Sequence, residues 1–244
     1  MLYIKKNAPP KKLAAKIIEI KKSDEWKRAE DDNTSALRSF FDLLDKQGIR
    51  DSLVTEQHGL CAYCMKRIKP DEGMTIEHYT PVQGHKESII DYNNMLGCCK
   101  GGSTDAADER RMLCCDAAKG NRELYINPMD KTQMDRIRYR KDGRIYVDSE
   151  DKRLQDDIDY VLCLNGKLDK NRKLLYDTST QIVKGRRDAY RGFEQFMKAI
   201  EKKHGKNEER IQILLKKRIR EIEGLDEYPE YAGVTLYFLR RRVR

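Results

Sequence analysis

The sequence predicts an α+β fold, mainly α-helical, organised around a small metal-stabilised centre. Three observations carry this reading. Apolar residues recur at helical spacing before residue 58 and again beyond Lys152. Six of the seven cysteines lie between Cys61 and Cys115, among short polar loops and glycines, where a metal rather than a large core would hold the backbone. Downstream, Arg136 to Val147 alternates apolar and charged residues around Asp142-Gly143, the dipeptide that most strongly signals a two-stranded hairpin.

In chain order, Leu13, Ile17, Ile18 and Ile20 follow a Pro-Pro start and predict a helix within Pro9 to Glu30. A second begins at Asn33 or Thr34, both capping types, and carries Leu37, Phe40, Phe41, Leu43 and Leu44 as far as Gly48. A short helix from about Ile49 to Gln57 leads into the cysteine-rich stretch. After the hairpin, Leu154, Ile158, Val161 and Leu162 return to helical spacing, and two longer helices are expected from about Asp169 to Lys203 and from Asn207 to Glu223. The apolar tail, Val234 to Leu239, is expected to dock on the body as a strand or helix. The chain thus divides into an N-terminal helical segment, 1–58, a zinc-bound centre, 59–130, and a hairpin with basic C-terminal helices, 131–244.

A chain of 244 residues can bury a sizeable core. Hydrophobic residues make up 39% and charged residues 37%, mean hydropathy is −0.84, and no run approaches the ~18 apolar residues of a membrane span. A membrane protein is therefore not expected. Met1 to Pro10 offers no apolar stretch of signal-peptide length, which points to the cytoplasm. The formal net charge of +9 is unevenly placed: residues 1–166 hold 29 basic and 29 acidic side chains, whereas residues 167–223 hold 17 basic and 9 acidic. Arg240, Arg241, Arg242 and Arg244 add to the basic end. A surface that binds a polyanion has this character, because neutralising phosphates releases counterions. A solvated lysine-rich helix face has it too.

In a reducing compartment, an odd number of cysteines, six of the seven clustered, argues for metal rather than disulfides. Cys61-Ala-Tyr-Cys64 is a C-x-x-C pair, followed by the doublets Cys98-Cys99 and Cys114-Cys115. The pair plus one cysteine from each doublet makes four thiolates. That is the donor set of a structural zinc site, in which the protein fills every position. Spacing alone leaves open which member of each doublet takes part. Cys163, alone in an apolar setting, is read as core, His85 as exposed loop, His58 as helix-end packing and His204 as solvent-facing.

Between the first pair and the first doublet lies Thr75-Ile-Glu-His-Tyr-Thr-Pro81, with Asn93 and Asn94 before Cys98, and Asp116-Ala-Ala-Lys119 follows the last doublet. In order and chemical type, Cys61, Cys64, Glu77-His78, Asn94-Met95, Cys99, Cys115-Asp116 and Lys119 resemble the HNH, or ββα-metal, nuclease family. Outside that core, Gly59-Leu-Cys-Ala-Tyr-Cys, Asp91-Tyr-Asn-Asn-Met-Leu, Gly101-Gly102, Cys115-Asp-Ala-Ala-Lys-Gly-Asn and Ile126-Asn-Pro look like the PtuB family of the bacterial Septu antiphage system and its retron-associated relatives. The resemblance implies a zinc-stabilised ββα-metal core with Cys99 and Cys115 as the doublet ligands. It implies a bacterial cytoplasmic setting and a PtuA-like ABC/SMC-type ATPase as partner. In retron settings it adds a reverse transcriptase and its multicopy single-stranded DNA.

The same resemblance assigns roles. His78 is the expected general base, suited by an unperturbed pKa near ~6.5. Glu77 and Asp116 are the expected ligands of a catalytic Mg2+ or Mn2+, since hard carboxylate oxygens suit those ions. Asp116 stands where many relatives carry His or Asn, so the pattern reads H-N-D. Asn94 is expected to tie the loop that positions the base. Lys119, one helical turn after Asp116, is expected to contact phosphate. The competing expectation is a catalytically silent zinc adaptor whose basic helices dock an ATPase partner or nucleic acid.

Overall fold

The computed structural model describes residues 1–31, 33–102, 112–205 and 207–243. Its chain order is α1 (Lys11–Lys22), α2 (Asp24–Arg28), α3 (Thr34–Asp42), α4 (Lys46–Glu56), β1 (Met74–His78), β2 (Met95–Cys99), α5 (Cys115–Lys119), α6 (Lys131–Met134), β3 (Ile137–Tyr139), β4 (Ile145–Val147), α7 (Lys152–Asp156), β5 (Lys167–Leu168), β6 (Leu174–Tyr176), α8 (Ile182–His204), α9 (Glu208–Glu223) and α10 (Ala232–Arg242). Over the described residues the fold is α+β, with three separate two-stranded antiparallel sheets, β1-β2, β3-β4 and β5-β6. Among the described residues, no helix is long and apolar enough to cross a membrane. Side chains from all three expected segments share one hydrophobic core. Arg244 lies outside the described residues.

The N-terminal helices are shorter than their apolar spacing predicts, because polar side chains interrupt them. Ser23 adopts an extended backbone and its hydroxyl accepts from the Trp26 amide, which ends α1 and caps α2. Trp26 is thereby buried, edge-on to Phe40 at 5.0 Å between ring centres. Asn33 caps α3 as expected, accepting from the Ala36 amide. That helix stops at Asp42 rather than at Gly48. The Asp45 carboxylate accepts from the Gly48 amide and caps α4, so Gly48 belongs to the next helix's first turn.

The β1-β2 pair forms the centre of the molecule, with α4 and α5 both packed on β2. Its register sets Glu77 opposite Leu96 and His78 opposite Met95. The expected hairpin is present as β3-β4, with Tyr139 opposite Ile145. Gly143 in its turn has φ +91° and lies against α8, where a methyl group would collide with the Val183 carbonyl. Gly143→Ala therefore combines left-handed strain with a backbone clash. We expect a loss of at least about 2 kcal/mol in urea denaturation.

Two further expectations are corrected. The helix placed at Asp169 to Lys203 starts only at Ile182, because residues 167–176 form the β5-β6 hairpin. Asp169 turns that hairpin by accepting from the amides of Asn171 and Lys173, and Arg172 takes a left-handed φ of +58°. Cys163 is half-buried in a turn, with φ +52°, after a π-helical stretch at Asp157–Val161. The apolar tail is helix α10, packed on α8 and α9 with Val234, Leu236 and Leu239 buried. Its apolar side packs into the shared core.

Candidate metal centre and adjoining acid–histidine site

The Cys61–Cys64 turn is tightly folded on itself. The Cys61 amide donates to the Lys66 carbonyl at 2.8 Å and the Met65 amide donates to the Cys61 carbonyl at 3.1 Å. Met65 takes φ +65°, and Leu60 bridges Arg67 across the turn. The Lys66 amide points at Cys64 Sγ, 3.5 Å away. Alternation along β2 sends the Cys98 and Cys99 side chains to different sides. Cys99 faces the turn. Cys115 opens α5 with φ +56°. The sulfur of its neighbour Cys114 is not one of the group of four; it lies 3.5 Å from the Gly101 carbonyl and 3.3 Å from Thr180 Oγ1.

Cys61, Cys64, Cys99 and Cys115 thus come together, with all four sulfurs within 4.8 Å of one another, and could hold a metal ion. The Cys61–Cys115 and Cys64–Cys99 sulfur separations are 3.9 and 3.6 Å. A disulfide needs about 2.05 Å. A tetrahedron of Zn–S bonds of about 2.3 Å has edges of about 3.8 Å, so the spacing fits a tetrathiolate ion. Three of the four are buried and Cys99 half-buried, leaving the protein to fill every position.

The acid–histidine residues sit on the neighbouring elements. Glu77 and His78 end β1, Asn94 immediately precedes β2, and Asp116 and Lys119 lie on α5. His78 is half-buried, edge-on to Phe41 at 4.9 Å, with Nε2 3.0 Å from the Ile89 carbonyl. A carbonyl only accepts, so Nε2 carries the proton and, in the neutral ring, Nδ1 is left as the acceptor. Burial pushes the imidazole pKa down, which favours that neutral form.

Asn94 spends its whole amide on the loop beyond β1. Its Nδ2 donates to the carbonyls of Thr80 and Ser88, each at 3.0 Å, and its Oδ1 accepts from the Thr80 amide at 2.7 Å. Ser88 precedes Ile89, so these bonds also steady the carbonyl that holds the His78 ring.

Glu77 is 5% exposed. Burial, then a hydrogen bond and like charge from Asp116, push its pKa up to about 8, against the opposing pull of Lys119. Two carboxylates pressed together in this way are a donor set suited to a hard divalent cation. Lys119 lies directly beside this pair. It is 2% exposed, its ammonium lies 2.7 Å from Glu77 and donates to the His78 carbonyl at 3.0 Å. The i+3 spacing from Asp116 places it on the site's side of α5, where its ammonium points inward to Glu77.

Tyr63 was not singled out by sequence reasoning. It is fully buried within the C-x-x-C loop, and its hydroxyl donates to Glu77 at 3.3 Å, linking the cysteine turn to the acidic pair. Its place between two candidate ligands is the one sequence signal that marks it. Of the other histidines, His58 stacks on Tyr228 at 4.0 Å, and His85 is exposed, 3.8 Å from Glu123. A scan against protein-family models and a search of curated proteins found no match for this chain.

Proposed function

We propose that this chain is a metal-dependent endonuclease of the HNH type, hydrolysing phosphodiester bonds of DNA or RNA as the effector of a bacterial antiphage complex. The observation that carries the reading is the meeting of Glu77-His78, Asn94 and Asp116, from three separate stretches of the chain, at one end of an antiparallel strand pair and the helix beside it. In this reading His78 Nδ1 takes the proton of the attacking water, with the Ile89 carbonyl holding the ring and Asn94 holding the loop. A Mg2+ or Mn2+ ion held by Glu77 and Asp116 would polarise the phosphate and stabilise charge on the departing oxygen. Lys119 is a positioning residue that sets Glu77. The four cysteines hold structural zinc, which joins the C-x-x-C turn, β2 and α5.

The resemblance to the PtuB family supports a PtuA-like ABC/SMC-type ATPase as partner and, in retron settings, a reverse transcriptase with its multicopy single-stranded DNA. One observation favours the second reading, a catalytically silent zinc adaptor. Lys119 already neutralises Glu77, so the acidic pair carries less negative charge than a metal site would offer. The two readings separate on incubating the purified chain, alone and with the ATPase and ATP, with labelled DNA and RNA and Mg2+ or Mn2+. Cleavage that His78→Ala abolishes supports the nuclease. Wild-type chain that cuts neither polymer under any of these conditions supports the adaptor.

The basic C-terminal helices have a separate test. Lys202, Lys203, Lys216 and Lys217 are exposed on α8 and α9. If they grip phosphates, reversing all four weakens binding uniformly across sequences and flattens the log–log salt dependence by up to about 0.9 for each phosphate no longer neutralised. An unchanged slope together with loss of the ATPase assigns them to docking instead.

A further inference from the structure

The β3-β4 hairpin turns one face to the core and the other outward. Ile137, Tyr139 and Ile145 are buried, and strand alternation sets Arg138 and its register partner Tyr146 together on the opposite face. Arg140, two residues beyond Arg138, is exposed and lays its guanidinium over the Tyr146 ring, 5.0 Å from the ring centre. On α10, Tyr237 and Arg241 are one helical turn apart. Arg241 Nη1 donates to the Tyr237 hydroxyl at 3.0 Å, and its guanidinium carbon lies 5.5 Å from the centre of that ring. Tyr237 in turn stands edge-on to Tyr139 at 5.6 Å, where α10 meets β3.

A cleft of about 940 Å³ opens here, lined by Arg138, Tyr146, Tyr237, Arg240 and Arg241 and floored by buried apolar side chains that include Met65 and Leu236. Arg138 pairs with Asp148 at 3.3 Å, and Arg240 pairs with Glu223 at 2.5 Å. Arg140 and Arg241 differ from them. Among the described residues neither forms an ion pair with a carboxylate, and each guanidinium lies against a tyrosine ring instead.

Arginine and tyrosine interleaved on one open surface suit a particular ligand. An unpaired base stacks on a tyrosine ring or on a guanidinium plane, while neighbouring arginines reach the phosphates that flank it. A duplex keeps its base faces stacked inside and would use the charges alone. We infer that the cleft between the hairpin and α10 is a binding site for single-stranded nucleic acid, with bases stacked on Tyr146 and Tyr237 and phosphates held by Arg140 and Arg241. None of these residues belongs to the acid–histidine site or to the lysine positions of α8 and α9. The inference goes beyond the nuclease reading, because holding a strand here requires no cleavage elsewhere.

The test uses the full chain without Mg2+ or Mn2+, so that binding is read and cleavage is not. Fluorescence anisotropy measures affinity for labelled oligothymidylate, oligouridylate and a DNA duplex of equal length. Wild type is expected to bind a single strand, of DNA, RNA or both, more tightly than the duplex. Tyr146→Ala combined with Tyr237→Ala is expected to weaken single-strand binding at least about tenfold. Tyr146→Phe with Tyr237→Phe keeps both rings and is expected to stay within about threefold. Arg140→Gln with Arg241→Gln is expected to flatten the log–log salt dependence by about 0.7 for each of the two phosphates released. If the alanine pair does not fold, the exposed arginine pair decides by its salt slope. Wild type that binds no single strand, or binds the duplex as tightly, overturns the inference. Loss of an ATPase partner from the arginine pair, with no strand bound by wild type, would then assign the face to protein docking. Affinity and salt slope unchanged in both variant pairs also overturn it and place strand binding elsewhere on the chain. A chain that binds strands as expected and never cuts them keeps the inference and loses the nuclease reading alone.

Discussion

Cys64→Ala is expected to abolish zinc binding and unfold the centre of the molecule. The four sulfurs join the C-x-x-C turn, the end of β2 and the start of α5. Structural zinc in small modules contributes about 10 to 16 kcal/mol of binding free energy, most of which is folding free energy. A whole domain is usually stable by only about 5 to 15 kcal/mol, so losing the ion removes a quantity comparable to the total. Chelation of the wild-type chain should have the same effect. Cys98→Ser and Cys114→Ser provide the contrast, because neither sulfur belongs to the group of four. Both variants are expected to keep one zinc per chain by elemental analysis. Zinc lost from either one, and kept in Cys99→Ser or Cys115→Ser, would reassign the ligands.

His78→Ala is expected to lower cleavage by at least the ~10²-fold typical of losing a general base, while zinc content stays at the wild-type level. The imidazole also packs edge-on to Phe41 and donates to the Ile89 carbonyl. Its removal should therefore cost stability of about 1 to 2 kcal/mol, visible as a small fall in Tm. His78→Asn, which can still donate toward Ile89, should lose the activity and keep more of the stability. Asp116→Ala should lower cleavage in another way, weakening the dependence on Mg2+ or Mn2+ concentration, because a metal ligand and not the base has gone. His78→Ala protein that cuts at the wild-type rate would remove the nuclease reading whatever the zinc analysis shows.

Elements governed by near neighbours in the chain were legible in the sequence. The Asp142-Gly143 turn, the Asn33 cap and the Asn207 start of α9 all depend on hydrogen bonds spanning a few residues, and each is where local chemistry predicts it. The same holds for the C-x-x-C turn, since two thiols three residues apart close on one another through their own backbone. Where sequence reasoning failed at this scale, a polar side chain had redirected the backbone. Ser23 splits the first helix, Asp45 claims Gly48, and Asp169 turns a strand pair where helical spacing had continued. Apolar periodicity records which residues will be buried, but not the capping bond that stops a helix.

By itself, then, the sequence determined the α+β class, the helix-rich ends, the hairpin and the cysteine cluster, because each is written in local spacing and residue type. Only the tertiary structure decided which cysteine of each doublet faces the other ligands, since Cys98 and Cys99 are chemically alike and differ only in direction. It alone turned Lys119 inward to Glu77, tied Tyr63 to the same carboxylate, held His78 by a backbone carbonyl eleven residues on, and buried Arg186 among partners from β3-β4 and the segment after α7. The physical reason is common to all four. A polar or charged side chain has the same sequence letter in water and in the interior, and its role is set by desolvation and by contacts between segments far apart in the chain.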